Sequence, residues 1–301
     1  MHILVTGGTG FIGRALVPEL LRAGHRVTVL TRSLPEPPPA TFAMVTDLAD
    51  LDGDVDGVIN LAGASLADHR WTSRYKQEIV DSRLATTRKL GAFFKALARP
   101  PKLWVNASAI GYYGNRADEA LDERSQPGTG FAAELCRAWE AAAREAAGPD
   151  TRVCVARFGV VLDREGGAYP EMARPFRFGV ANWIGNGHQW LSWIHRQDVV
   201  RALMLLVERN DLEGVFNVTA PEAVTSRGFC EAMQQVHRTF LRVPMPAFAM
   251  RVLVGEMADE LLIGGQHVVP AALLEANFCF DFPTLSSALQ DIELQSFAAD
   301  T

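Results

Sequence analysis

Gly7, Gly10 and Gly13 recur every third residue directly after the apolar run Ile3 to Val5. Glycines spaced this way let a chain leave a strand through a tight turn, bring its backbone against a pyrophosphate and pack the next helix closely on the strand. The amides that open the helix carry the positive end of its dipole, so the chemistry on offer is phosphate binding by backbone groups. Thr6, Gly7, Thr9, Gly10, Phe11, Ile12 and Gly13 are therefore the expected contacts of a dinucleotide.

About 20 residues further on, sites for NAD place a carboxylate on the ribose 2′-hydroxyl. Thr31, Arg32 and Ser33 stand there instead. A guanidinium pairs with a 2′-phosphate and no carboxylate repels it, so Thr31 and Arg32 favour NADP over NAD. The plainer alternative makes Arg32 a solvated surface residue.

The elements that position these residues follow from periodicity. Ile3–Val5 reads as a buried strand, followed by a helix carrying Leu16, Leu20 and Leu21 and ended by Gly24. Val27–Leu30, Ala43–Val45, Val58–Leu61, Leu103–Asn106 and Val153–Arg157 read as further strands, with helices expected over Ser73–Leu97 and Phe131–Ala147. Strands alternating with helices predict an α/β fold, a Rossmann doubly wound parallel sheet with right-handed crossovers. After Leu162 the pattern turns irregular, regaining helical period at Asp198–Glu208, Ser226–Val236 and Met250–Ile263. A Rossmann domain is expected over 1–165, with 195–220 returning to it, and a mostly helical substrate lobe over 166–194 and 221–301.

Bulk properties exclude several classes. Hydrophobic residues make up 48% and charged ones 21%, as in ordinary soluble domains. The 29 basic and 35 acidic residues give a net charge of -6 without a basic stripe, which argues against a nucleic-acid partner. No apolar run reaches the ~18 residues of a membrane span, and the start leaves no room for a signal peptide, so no membrane partner and a cytoplasmic location are expected. The four cysteines lie far apart without metal-ligand spacing, so no metal is expected.

The glycine spacing, Asp47, Asn60-Leu-Ala-Gly63 and Ser108 followed by Tyr112-Tyr113-Gly114 together resemble the extended short-chain dehydrogenase/reductase superfamily. Gly63 to Trp71, Ser82-Arg83, Ala107 to Gly114, Cys136 to Glu140 and Gly187 to His195 are similar to its atypical branch of sugar-nucleotide epimerase-like proteins, also labelled cell-division-inhibitor-like. Gly255-Glu256, Val269-Pro270 and Phe278 to Pro283 resemble that branch's small C-terminal domain. The resemblance implies that Asp47 and Leu48 lie near the adenine and that Leu61, Ala62 and Gly63 run along the cofactor. It further implies that Glu78 and Arg83 face its phosphate and ribose, with Val160 near the nicotinamide.

The superfamily opens one helix with Tyr-x-x-x-Lys, whose lysine lowers the phenol's pKa for proton transfer. The matching spacing here is Phe131 to Leu135, and neither side chain can pass a proton. Ser108, Tyr112 and Tyr113 are the replacement candidates for orienting a substrate and moving a proton. His195 reads as a structural histidine, Asp198 as a helix N-cap, and Trp183, Trp190, Trp193 and Gln189 as either a substrate wall or lobe core. The expectation is an NADP(H)-binding, epimerase-like oxidoreductase for a small molecule, a nucleotide sugar or another carbonyl or hydroxyl compound, acting as a monomer or weak homodimer. The alternative is a non-catalytic NADP(H)-sensing protein.

Overall fold

In the computed structural model, residues 1–299 are described. The strands β1 (His2–Thr6), β2 (Arg26–Leu30), β3 (Ala43–Val45), β4 (Gly57–Asn60) and β5 (Leu103–Ala109) alternate with α1 (Gly13–Arg22) and α2 (Ser73–Lys95). Then follow α3 (Phe131–Ala146) and the strands Arg152–Phe158 and Gly214–Val218. One seven-stranded sheet results, in the order Gly214–Val218, Arg152–Phe158, β5, β4, β1, β2, β3. The pairs β1–β2, β1–β4, β2–β3 and β4–β5 all run parallel. This is a Rossmann-type α/β fold.

Register explains why the strands are continuously apolar. Leu4, Val58 and Trp104 are aligned across β1, β4 and β5 and share a core with Leu90 and Phe94 of α2 and Ala143 and Ala146 of α3. Their neighbours Ile3, Val5, Ile59 and Val105 point the other way and are equally buried. A sheet covered on both faces needs such runs rather than alternation.

By its contacts the chain divides into two units. The first comprises 1–108, 135–157 and 200–216, and the second 109–134, 158–199 and 217–301. Segments 109–134 and 158–165 therefore group with the second unit. Its core gathers Tyr169, Phe176, Trp193, Phe229, Met233, Leu289 and Ile292. The stretch after Leu162 holds a helix, Tyr169–Arg177, and the strand Val180–Ile184, which pairs with Leu241–Met245. Short aromatic strands and two prolines hid both elements from periodicity. The helix expected over Met250–Ile263 is broken in two, Ala247–Val254 and a wide turn Ala258–Ile263, because Gly255 takes a φ of 70°.

α2 and α3 approach closely at Gly91. A Cβ there would lie 2.5 Å from the Ala146 Cβ, well inside contact distance. Glycine in a helix ordinarily costs about 0.5–1 kcal/mol relative to alanine. Overpacking outweighs that gain here, so Gly91→Ala should destabilise the protein by about 1–2 kcal/mol in urea denaturation. An unchanged or higher midpoint would show that the helices separate at no cost.

Candidate functional site

The turn after β1 is shaped by close approaches that side chains would block. Gly7 sits at a φ of 68°, and a Cβ on it would fall 2.7 Å from the Leu61 carbonyl oxygen. A Cβ on Gly13 would fall 2.3 Å from the Gly7 oxygen, which already accepts the Gly10 amide at 2.9 Å. Thr9 and Gly10 are exposed at the tip, Phe11 and Ile12 are half-buried, and Gly13 is buried. No side chain caps the start of α1 at Ile12, whereas Thr72 caps α2 through the Tyr75 amide. An uncapped helix start beside an exposed glycine tip is a cradle for an anion.

Behind the turn lies a buried polar frame. Thr6 donates its hydroxyl to Asn60 at 2.7 Å and accepts the Ala62 amide at 3.2 Å, locking the ends of β1 and β4 together. Asn60 donates to Thr87 at 2.9 Å and to Asn106 at 2.8 Å, while Trp139 donates to Thr87 at 3.1 Å. The Thr6 side chain thus belongs to the frame, leaving its backbone to face a ligand.

At the end of β2, Thr31 donates its hydroxyl to the Ser33 carbonyl at 3.0 Å, and Arg32 is exposed. Asp47 caps the short turn Leu48–Asp50 by accepting the Ala49 amide at 3.0 Å and lies 3.1 Å from Lys89. That amide, then Lys89, holds its carboxyl below the usual range. The Leu48 side chain is buried in the sheet core, so only its backbone can flank a base.

Leu61 and Ala62 are half-buried and Gly63 is exposed. Arg83 donates to the carbonyls of Ala64 at 3.0 Å and Ile79 at 3.1 Å, and its guanidinium lies 5.1 Å from the Trp139 ring centre. A Cβ on Gly63 would fall 2.8 Å from that guanidinium, so the glycine makes room for the arginine. Burial pulls Arg83 below its ordinary pKa. Through Nη1, Arg83 braces the Gly63–Ala64 turn. Glu78 does not face the same way. Five residues earlier on α2, it points roughly 140° away and lines a recess of about 350 Å³ with His69, Arg70, Thr72, Arg74 and Tyr75. Val160 lies in the second unit, in a strand paired with Trp193, and packs on that unit's core.

Two of the three catalytic candidates are buried and hydrogen-bonded. Ser108 is buried and donates to Glu140 Oε1 at 2.8 Å, and Glu140 in turn accepts Arg157 at 2.7 and 2.9 Å. Its hydroxyl joins the buried Glu140–Arg157 ion pair. Tyr113 is fully buried and donates to Asn217 at 2.7 Å. Tyr112 is half-buried, its ring edge-on to Tyr113 at 5.3 Å, and is the candidate phenol still at a surface. Phe131 and Leu135 occupy the first turns of α3, half-buried and buried.

Other readings are settled in the second unit. Trp193 is core, donating to the Glu222 carbonyl at 2.8 Å. Trp190 stacks on His267 at 4.1 Å, and Trp183 lies under Arg227. Asp198 does not cap its own helix: its two oxygens accept the amides of Asp281 and Phe282, both at 2.9 Å. His195 is buried, with Nε2 3.3 Å from Asp291 but not aligned as a hydrogen bond, and Nδ1 accepting the Gln197 amide. Burial lowers its pKa, against the raising pull of Asp291, Asp163 and Asp198. Sequence reasoning missed Glu140, Arg157 and Glu260. An arginine closing the apolar run Val153–Arg157 was the available signal for the first pair. Glu260 accepts the Phe131 and Ala132 amides, each at 2.9 Å, and nothing local announces it.

Among the described residues, no cluster of His, Cys, Asp or Glu could hold a metal ion, and no helix is long and apolar enough to cross a membrane. The sequence pattern of the NAD dependent epimerase/dehydratase family matches residues 3–219. The chain belongs to that family. A second pattern, the domain of unknown function DUF1731, matches residues 245–292. An epimerase family protein of Mycobacterium leprae is 39% identical over 294 residues, covering 95% of this chain and 94% of the relative. The human epimerase family protein SDR39U1 is 36% identical over 295 residues, covering 97% and 99%. Its crystal structure with NADPH superposes with a TM-score of 0.87, covering 97% of this chain and 99% of that one. A nucleoside-diphosphate sugar epimerase from Corynebacterium glutamicum, 27% identical, gives a TM-score of 0.78 and covers 99% of this chain and 60% of that one. In this epimerase-family chain, the residues nearest the ends of β1, β4 and β5 serve the frame.

Three outcomes follow from these placements. Removing one partner of a buried pair strands the other, so Glu140→Gln should cost about 3–5 kcal/mol in urea denaturation. Ser108→Ala should cost about 1.5–3 kcal/mol, the range for a bond to a charged group; a Ser108→Ala protein of unchanged stability would return the hydroxyl to the site chemistry. For His195, a lowered folded-state pKa means the native protein binds fewer protons than the unfolded chain just below 6.5. Its contribution is present above pH 6.5 and lost as pH falls through that value. His195→Gln should therefore flatten the loss of stability between about pH 7 and about pH 5.5, and an equally steep loss in the variant would assign the effect to other groups.

Proposed function

We propose that the protein binds NADP(H) through the β1–α1 turn and acts as an epimerase-like oxidoreductase on a small carbonyl or hydroxyl compound. The observation that carries this reading is the pairing of an uncapped helix start at Gly10–Gly13 with a β2 end that bears Arg32 and no carboxylate. The backbone of Gly7 to Gly13 would hold the pyrophosphate, and Arg32 would meet the 2′-phosphate. Asp47, the Leu48 backbone and Leu61 to Gly63 would flank the adenine and ribose. The NADPH named with the human relative supports the same choice of cofactor.

When bound, the nicotinamide supplies hydride transfer. The chain must then deliver a proton to, or take one from, the substrate oxygen. With Ser108 and Tyr113 committed to Glu140 and Asn217, that task falls to the Tyr112 phenol or to water held beside it. The substrate class includes nucleotide sugars, as the name of the Corynebacterium relative suggests. The protein works in the cytoplasm as a monomer or weak homodimer, without nucleic acid and without spanning a membrane.

One observation favours a second reading. Phe131 and Leu135 replace the proton-transfer pair, and two of three substitutes are buried in structural bonds, as a non-catalytic NADP(H) sensor would permit.

Titration calorimetry should give a dissociation constant for NADPH at least tenfold below that for NADH, about the 1.4 kcal/mol that one charge-assisted contact supplies. Arg32→Ala should erase the difference, and equal or tighter NADH binding by the wild type would overturn the cofactor assignment. Oxidation of bound NADPH by any member of a carbonyl and nucleotide-sugar panel, lost in Tyr112→Phe, supports the oxidoreductase. NADPH that binds tightly and is never oxidised selects the sensor.

A further inference from the structure

The chain carries 35 acidic residues among 301, yet no Asp or Glu occurs from 172 to 197 or from 232 to 255. The second unit brings these two acid-free stretches side by side. Val180–Ile184 pairs in parallel with Leu241–Met245, Val180 against Leu241. The Phe240 amide donates to the Gly179 carbonyl at 2.9 Å, and its ring covers Gly179 so closely that a Cβ there would lie 2.1 Å away. Phe178 and Phe240 are thus surface neighbours, 72% and 83% exposed. Pro246 then turns the chain into the helix Ala247–Val254, which buries no residue and holds Phe248 at 69% exposed, together with exposed Val252 and Leu253.

Arginines accompany these apolar residues along the chain: Arg174 and Arg177 precede Phe178, Arg238 and Arg242 flank Phe240, and Arg251 precedes Val252, and all five are exposed. Asp259 pairs with Arg251 at 2.9 Å, Glu171 lies 3.8 Å from Arg174, and Arg242 donates to the uncharged Gln234. Acids therefore offset two of the five. On a protein of net charge -6, this face is both basic and apolar.

Exposed apolar clusters of this size mark a partner, and the charge selects which. Against the expectation of no membrane partner, which rests only on the lack of a spanning run, we infer that this face lies against an anionic lipid surface, with Phe178, Phe240, Phe248 and Val252 entering the headgroup boundary and the arginines at the level of the lipid phosphates. A second copy would set the same arginines against themselves, which is unfavourable for like charges. Lying on a bilayer requires no spanning helix, and none is present among the described residues.

The test is flotation of the full chain with phosphatidylcholine vesicles, with and without about one-third phosphatidylglycerol. Binding is expected only to the anionic vesicles and should weaken as salt rises. Arg238→Glu with Arg242→Glu should lower affinity at least twentyfold, since each arginine near such a surface contributes about fivefold. Phe178→Ser with Phe248→Ser should lower it at least tenfold, with NADPH affinity and circular dichroism unchanged in both variants. Should the phenylalanine variant fail to fold, the arginine variant alone decides. The inference falls if the wild type ignores anionic vesicles, binds neutral ones equally, or binds as before after charge reversal. It falls also if the wild type self-associates through this face in sedimentation while leaving vesicles untouched.

Discussion

A methyl group on Gly13 would stand 2.3 Å from the Gly7 carbonyl oxygen, and one on Gly7 would stand 2.7 Å from that of Leu61. These two approaches fix where α1 begins relative to β1 and to the end of β4. Neither can be relieved by a rotamer change, because the atoms met are backbone. The helix start, the exposed Thr9–Gly10 tip and the Leu61–Gly63 turn are consequently held in one arrangement, and the binding of a dinucleotide depends on that arrangement more than on any side chain. The same economy recurs at Gly63, whose missing side chain admits the Arg83 guanidinium.

Beneath the turn, polar groups are buried in number, and each must find a partner or cost about 1–3 kcal/mol. Thr6, Asn60, Thr87, Asn106 and Trp139 satisfy one another across β1, β4, β5, α2 and α3. Ser108, Glu140 and Arg157 do the same for β5, α3 and the next strand. A fully satisfied network of this kind specifies one packing of the helices on the sheet. It also spends the side chains that a reading of strand ends would assign to chemistry.

That explains which features were legible in sequence. Six of the seven sheet strands, all but Gly214–Val218, and the helices Ser226–Val236 and α1 to α3 followed from periodicity, and the glycine turn followed from spacing, because both are local properties of the chain. The partners of Ser108, Tyr113, Arg83 and Asp198 were not legible because each lies far away in sequence: Glu140, Asn217, Ala64 and the amides of 281 and 282. A serine at a strand end looks the same whether it faces a substrate or a buried carboxylate. The strand Leu241–Met245, with Arg242 and Pro244 in it and most of its length exposed, carries no alternation to read.

The replacement of Tyr and Lys by Phe131 and Leu135 is not an isolated loss either. In the superfamily's arrangement a lysine lowers the pKa of a phenol at the start of this helix. Here the first amides of α3 are taken by both oxygens of Glu260, and Gly130, at a φ of 102°, leaves the space that carboxylate fills. A negative charge beside the helix start offsets the dipole's positive end and would raise, not lower, the pKa of a phenol placed at 131. Under the oxidoreductase reading a proton donor has to stand elsewhere, and the loop that follows β5 carries a phenol, Tyr112, that is half-buried.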